Sequence, residues 1–175
     1  DETSAAVGHV GTFLPKRPPR GATNRGLDKE IAGSSAPGDI FSVALRDLGS
    51  MDAANWANAV YALAHCKKHG DHGGAGHRGG GGTGDAAAKP SWLKDEPRWA
   101  RICEELSARL HELTARDAAN VVWSLAILES RSEPVYLQCA DALTSGEKLA
   151  VCDPISLSKA AWSLTSVPSR EKRLQ

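Results

Sequence analysis

The chain has 175 residues, of which 41% are hydrophobic and 5% aromatic, and its 21 basic residues balance its 21 acidic ones. This length suffices for one modest domain, and the zero net charge excludes the strong basic bias of a protein dedicated to naked nucleic acid. No apolar run approaches the roughly 18 residues that a membrane span needs. Abundant alanine and scarce β-branched or aromatic runs favour helices over sheet.

Residues 1–38 are rich in Gly, Pro, Ser and Thr and show no apolar period, so we expect an extended N-terminal arm. Between Thr3 and Leu27 the arm contains basic residues and no acid; the basic residues are Lys16, Arg17, Arg20 and Arg25. Such an arm is either a solvated tail or a basic segment that contacts nucleic-acid phosphates. In the second alternative these basic residues are the predicted contacts.

A short helix is predicted to follow the arm, between Asp39 and Leu48. Its apolar residues recur at the spacing of one helix face and are Phe41, Ala44, Leu45 and Leu48. We expect Asp39 to cap this helix and Gly49 to end it.

A capped amphipathic segment occurs three times in the chain. The clearest copy runs from Thr114 to Leu128, and weaker copies run from Asp52 to Cys66 and from Asp153 to Val167. Each copy has a helix-capping residue with an aromatic residue nine positions later; the pairs are Asp52 and Tyr61, Thr114 and Trp123, and Asp153 and Trp162. Capping and helical periodicity together predict three helices, and the shared register predicts that Trp123 and Trp162 pack in the core.

Residues 67–96 interrupt the pattern and are rich in glycine. The aromatic residues Tyr61 and Trp123 are 62 positions apart, whereas Trp123 and Trp162 are 39 apart, a difference of 23 residues. We interpret residues 67–96 as a flexible insertion in a loop of an array with a period of about 39 residues. Trp92 lies in this insertion and is expected to be free to stack.

A partner helix is predicted before each of the last two copies, because Glu-Pro at 96–97 and at 133–134 suits a helix start. The apolar stripes of these helices are Trp99, Ile102, Cys103, Leu106, Leu110 and Leu113, and Tyr136, Cys139, Ala140 and Leu143. We therefore predict an all-α solenoid over residues 39–167, with helix–turn–helix repeats at about 39–66, 97–129 and 134–167. Residues 168–175 would begin a further segment. Both ends are expected to be open, which would make the isolated chain marginally stable.

The segments NAVYALA, NVVWSLA and KAAWSLT, with the period and the helix pair per repeat, resemble the octotricopeptide and heptatricopeptide repeats. These repeats belong to organellar RNA-binding proteins that often carry RAP domains. Lys159 departs from the asparagine found at Asn58 and Asn120, and Tyr61 replaces tryptophan. The resemblance implies an α-solenoid of mitochondria, or alternatively plastids, that binds RNA, in some lineages as an rRNA-binding component of the mitochondrial ribosome.

One polar stripe is predicted on the repeated helices. Its residues are three and four positions apart and are Asn55 and Asn58, then Asp117, Asn120 and Ser124, then Ser156, Lys159 and Ser163. Stacked repeats would align these residues into a track whose amides and hydroxyls contact RNA bases or phosphates. The alternative is that they form the ordinary polar face of amphipathic helices, with Asn120 hydrogen-bonded to an adjacent helix end.

Catalysis and metal binding are not favoured by the sequence. His65, Cys66, His69, His72 and His77 are metal-ligand types, but their glycine-rich context opposes a closed zinc site. No nucleophile–base arrangement or carboxylate pair has a catalytic context. We therefore expect a noncatalytic protein without cofactor, metal, membrane or small-molecule substrate, which binds RNA beside neighbouring proteins of a large assembly. The alternative is a protein–protein scaffold subunit of an organellar complex that does not contact RNA.

Overall fold

The computed structural model describes residues 21–70, 90–93, 96–131, 133–144 and 147–165, and these residues contain helices and no β-strand. The predicted all-α class is confirmed for this part of the chain. In chain order the helices are α1 (Ala22–Gly33), α2 (Pro37–Arg46), α3 (Ala53–Gly70), α4 (Pro97–Ala108), α5 (Ala115–Ile127), α6 (Pro134–Thr144), the short α7 (Glu147–Ala150) and α8 (Pro154–Thr165). Single 3₁₀ turns lie at Leu48–Ser50, Ser91–Leu93 and Leu110–Glu112.

The helices pack in two rows. Helices α2, α4 and α6 contact one another in that order and form the first row, and α3, α5 and α8 do the same and form the second row. Helix α5 has the most extensive contacts, because it packs against α3 and α8 in its own row and against α6 in the other. One contiguous core lies among these helices, and its largest fully buried side chains include Phe41, Trp56, Leu63, Ile102, Leu106, Leu125, Leu128 and Leu143.

The three predicted caps of the second row are present. Thr114 Oγ1 accepts a hydrogen bond from the backbone N–H of Asp117 at 3.2 Å, and Asp117 Oδ2 accepts one from the N–H of Thr114 at 3.3 Å. Asp52 and Asn55 form the same reciprocal pair, at 2.9 and 3.1 Å. Asp153 Oδ1 accepts from the N–H groups two and three residues later, at 3.0 and 2.9 Å. Some of the otherwise unpaired N–H donors at each helix start are thereby satisfied.

The expectation of an extended arm is wrong for residues 22–33, which form α1. Leu27 and Ile31 are four positions apart and bury one face of this helix. Asn55 Nδ2 of α3 donates to the carbonyl oxygen of Asn24 at 2.9 Å and to Asp28 Oδ1 at 2.8 Å. Contacts with α2 and α3 stabilise helix α1. Its few apolar residues do not form a periodic pattern long enough to predict a helix from the sequence.

Helix α1 covers the N-terminal side of the α2–α3 pair, so the expectation that this side is open is wrong. Its outer face is polar, and Arg25, Lys29 and Glu30 are exposed. The guanidinium of Arg46 on α2 binds both carboxylate oxygens of Glu30, at 2.9 and 2.8 Å. A polar outer face is what the terminal element of a helix array requires.

Helix α2 begins at Pro37, two residues before the predicted start, with Ala36 at the cap position. Proline suits the first helical position because its missing N–H would have no partner there. Asp39 therefore lies in the first turn and does not cap the helix. Residues 1–20 lie outside the described residues, and with them the predicted contacts Lys16, Arg17 and Arg20.

The predicted insertion contributes to the fold at both of its ends. Helix α3 continues through the first residues of the insertion to Gly70, and residues 71–89 lie outside the described residues. Trp92 is half-buried and packs edge-on against Phe41, with ring centroids 6.5 Å apart. The expectation that Trp92 is free to stack is therefore wrong, because its ring contributes to the core.

The C-terminal end of α5 contains a non-glycine residue in the left-handed region. Glu129 has φ 54°, the N–H of Ser130 donates to the carbonyl of Leu125 at 2.9 Å, and the N–H of Glu129 donates to that of Ala126 at 3.2 Å. These two bonds define a Schellman motif, whose left-handed position is normally occupied by glycine. The Glu129 side chain also forms an ion pair with Arg131 at 3.2 Å.

We predict that Glu129→Gly raises the free energy of unfolding by about 1 kcal/mol, because glycine adopts this conformation without the steric cost of a Cβ atom. Losing the ion pair, whose side chains are 15% and 24% exposed, offsets part of this gain. Urea denaturation measures the change. Glu104→Gly on the exposed face of α4 is the matched control and should lower stability by about 1 kcal/mol. Destabilisation by both substitutions would contradict the prediction.

Candidate nucleic-acid interface

Five of the eight residues of the predicted polar stripe are buried: Asn55, Asp117, Ser124, Ser156 and Ser163. Their polar groups bond within the protein. The hydroxyl of Ser124 donates to the carbonyl of Asn120 at 2.7 Å, and that of Ser163 donates to the carbonyl of Lys159 at 2.6 Å. Asn55 and Asp117 form the reciprocal caps described above. The hydroxyl of Ser156 donates to Oδ2 of the capping residue Asp153 at 2.7 Å. The prediction of a ligand-facing track is wrong for these five, because their side chains are buried and their polar groups are hydrogen-bonded within the protein.

The other three residues of the stripe are half-buried and occupy the same register, three positions before the repeated aromatic residue: Asn58, Asn120 and Lys159. Lys159 Nζ on α8 donates to Asn120 Oδ1 on α5 at 2.8 Å. Asn58 Nδ2 on α3 donates to Asp28 Oδ1 on α1 at 2.7 Å. The structure therefore brings polar groups from successive second-row helices to one surface.

The repeated aromatic residues lie on this surface too. The rings of Tyr61 and Trp123 are tilted, with centroids 5.5 Å apart, and His65 lies 4.5 Å from Tyr61 and 5.8 Å from Trp123. Lys159 Nζ lies 4.6 Å from the Tyr61 centroid and 5.4 Å from that of Trp123, which is cation–π distance. The same ammonium approaches the Tyr61 hydroxyl oxygen at 3.4 Å.

Trp162 is 46% exposed, so the expectation that it packs in the core is wrong, whereas Trp123 is half-buried and packs against the core as expected. Trp162 and Lys159 share one face of α8 because they are three positions apart. Arg116, Asn120 and Trp123 share the equivalent face of α5. We call this surface the aromatic face and define it by Asn58, Tyr61, His65, Arg116, Asn120, Trp123, Lys159 and Trp162.

Two adjoining cavities open along the aromatic face. One of about 610 Å³ lies between α1 and α3, and one of about 510 Å³ lies among α3, α5 and α8. Asn58 and Tyr61 line both cavities, and Arg116 and Lys159 line the second. Cavities of this size accommodate a nucleoside-sized group.

The charge of this surface is balanced locally. Arg116 and Lys159 are the cations of the second cavity. Asp28 lines the first cavity and accepts hydrogen bonds from two amides of α3, and Asp117 is buried in its capping box. The aromatic face therefore offers two cations, three amide or imidazole groups and three aromatic rings rather than a dense basic patch.

The described residues contain no group of three or more His, Cys, Asp or Glu side chains that could hold a metal ion. Of the predicted metal-ligand types, His65 contributes to the aromatic face and Cys66 is half-buried at the first cavity. The side chain of His69, as well as His72 and His77, lies outside the described part of the chain. Within that same part, no helix combines the length and apolar character needed to span a membrane.

The sequence contained a signal for the aromatic face. Tyr61, Trp123 and Trp162 share a register, and each follows Asn58, Asn120 or Lys159 by three positions, which places ring and polar group on one face. A large ring at a repeated position indicates core packing only when its neighbours on that face are apolar.

Comparison of the chain with protein-family models, with curated proteins and with solved structures finds no significant match.

The tryptophans should differ in their contribution to stability according to burial. Trp56 is fully buried, so Trp56→Ala should lower the free energy of unfolding by about 3–5 kcal/mol. Trp123→Ala should cost less, because part of its ring is in contact with water, and Trp162→Ala should cost least, because Trp162 is 46% exposed. Urea denaturation of the three variants checks this order. A cost for Trp162→Ala equal to that for Trp56→Ala would show that Trp162 is a core residue.

Proposed function

We propose that this protein is a noncatalytic helical-repeat protein that binds single-stranded RNA on the aromatic face. The two rows of helices support a segment of an α-solenoid, in which we assign three units in chain order: α2 with α3, α4 with α5, and α6 with α8. Between the rows, α3 contacts α2 and α4, and α5 contacts α6. In such an array equivalent residues of successive units line one continuous surface. The aromatic face has this property, since its residues occupy equivalent positions of α3, α5 and α8.

The observation that carries the proposal is the position of the repeated aromatic residues. Tyr61 and Trp123 lie side by side at the surface with the Lys159 ammonium over both rings, and Trp162 is exposed one unit further along. Nucleobases stack on exposed aromatic rings regardless of their sequence, and neighbouring cations contact phosphates. Amides such as those of Asn58 and Asn120 form hydrogen bonds with base edges.

The pKa shifts of three described groups have structural causes. Burial raises the pKa of the Cys139 thiol to about 12, which leaves it protonated and poorly nucleophilic at neutral pH. The pKa of Asp153 is lowered by the backbone N–H of Ser156, and that of Glu96 by the side chain of Arg98; each carboxylate receives a backbone N–H at a helix start. Caps, burial and ion pairs thus account for these shifts without a reacting group.

The resemblance of the three segments to octotricopeptide and heptatricopeptide repeats supports an organellar RNA as the ligand. On this basis we propose a mitochondrial or plastid location, with ribosomal RNA as the first candidate. Only two cations stand on the aromatic face, which favours a component held jointly by RNA and neighbouring proteins over an isolated high-affinity RNA binder.

The direct test uses a short fluorescein-labelled oligoadenylate and fluorescence anisotropy. Trp162→Ala should weaken binding about tenfold, because one base–aromatic stack contributes roughly 1–3 kcal/mol. Leu137→Ala is the matched control: Leu137 is also exposed, at 60%, but lies on α6 outside the aromatic face, and its loss should leave binding unchanged. If the two variants bound the oligonucleotide with equal affinity, Trp162 would not stack on the RNA and the proposed binding surface would be wrong.

The salt dependence tests how the RNA is held. Two phosphate contacts predict a slope of log affinity against log salt of roughly −1.4 for a single strand. A much steeper slope would indicate that basic residues outside the aromatic face dominate binding.

In cells, the same proposal expects the native protein to sediment with a ribonucleoprotein particle and to leave it after ribonuclease treatment. A sedimentation position unaffected by ribonuclease would favour the protein-scaffold alternative.

A further inference from the structure

Exposed apolar side chains are distributed unevenly along the fold. The large hydrophobic residues that are exposed in the described part of the chain all lie in the last unit: Leu137 on α6, and Ile155, Leu157 and Trp162 on α8. Trp162 belongs to the aromatic face, and Ile155 lies on the same side of α8, seven positions earlier. Leu157 points in a different direction, because two positions along a helix correspond to a rotation of about 200°.

Leu157 begins an apolar stripe that also contains Ala161 and Leu164. We call these three residues the α8 stripe. They are spaced by four and three positions and therefore share a helix face. Leu157 is 44% exposed, Ala161 is exposed and Leu164 is half-buried. This stripe is distinct from the buried side of α8, which consists of Ser156, Ala160 and Ser163.

The equivalent stripes of the two preceding units are fully covered. Counted from the repeated aromatic residue, the α8 stripe corresponds to Trp56, Val60 and Leu63 on α3 and to Ala118, Val122 and Leu125 on α5, all of which are buried. Helix α3 packs against α4, and α5 packs against α6, so each of these helices is covered by the first helix of the following unit. Helix α8 is the last helix of the described residues and lacks such a neighbour within them.

We propose that the α8 stripe is a docking site for one amphipathic helix of the kind represented by α4 and α6. Such a helix begins with proline, as at Pro97 and Pro134, and has an aromatic residue two positions later, as at Trp99 and Tyr136. Apolar residues follow three, four and seven positions after the aromatic one. The docked helix would continue the interface that α6 makes with α5, so its geometry is already defined within this protein.

The shape and chemistry of the surface favour a helix as the occupant. A ridge of residues at four- and three-residue spacing fits the groove of a second helix. A second copy of this chain packed head to tail is disfavoured, because α1 presents its polar outer face, held by the Glu30–Arg46 ion pair, at the opposite end of the helix rows. The partner helix thus completes an open unit, independently of any ligand on the aromatic face.

The test uses a fluorescein-labelled synthetic peptide of residues 133–144, with a lactam bridge between the exposed positions 137 and 141 to hold it helical. Fluorescence anisotropy with the full chain should show saturable binding. Leu157→Lys should weaken this binding at least tenfold. Ile155→Lys is the matched control on the same helix: Ile155 is more exposed, at 71%, but lies off the stripe, and its replacement should leave peptide affinity within twofold of wild type.

A second control peptide replaces the residue corresponding to Leu143 with lysine and should not bind, because it loses the apolar end of its stripe. The proposal is overturned if the peptide does not bind the wild-type chain, or if it binds the Leu157→Lys and Ile155→Lys variants equally.

Sedimentation equilibrium of the chain alone provides a further check. A dimer that Leu157→Lys abolishes would identify a second copy as the occupant and refute the proposed partner. Leu157→Lys should leave oligoadenylate binding unchanged, which separates failure of this proposal from failure of RNA recognition.

Discussion

The close packing of α5 between α3 and α8 is the contact on which the remaining structure depends. The surfaces that meet there contain small residues, including Ala160 and Ser163 on α8 and Ser124 on α5. The hydroxyls of Ser124 and Ser163 each donate to the carbonyl four positions earlier, so these serines are buried without an unsatisfied hydroxyl. The helices can then approach closely enough for Lys159 of α8 to reach Asn120 of α5 and Tyr61 of α3. The aromatic face is therefore a consequence of how tightly the second row packs.

Much of the fold was predictable from local chemistry. The capping box of Thr114 with Asp117, the reciprocal pair of Asp52 with Asn55 and the proline after Asp153 mark helix starts within a few residues, and helical periodicity identifies the apolar faces. Helix α1 escaped prediction, because a helix with few apolar residues becomes stable only when it packs on others.

The candidate site was predicted only in part, for a different physical reason. Asn58, Asn120 and Lys159 lie at the surface as expected, whereas the serines of the same stripe are buried. Sequence periodicity assigns a face to each residue but gives no information on whether a hydroxyl bonds to water or to its own helix. Likewise the amphipathic rings of Tyr61 and Trp123 suit both a core and a partly wet surface, and only their packing against His65 and Lys159 distinguishes the two.

The two ends of the helix rows differ in polarity, and they are also synthesised at different times. Helix contacts join each helix to neighbours up to three helices away along the chain, and the longest separation, between α2 and α4, spans the glycine-rich segment. The contacts among α1, α2 and α3 join helices that are adjacent or nearly adjacent in the chain, so these helices can pack together as they leave the translating ribosome. Within the described residues, the polar side at α1 is therefore synthesised before the exposed apolar side chains of α8. Because the earlier helices can already be packed when α8 emerges, they expose less apolar surface for aggregation at that stage.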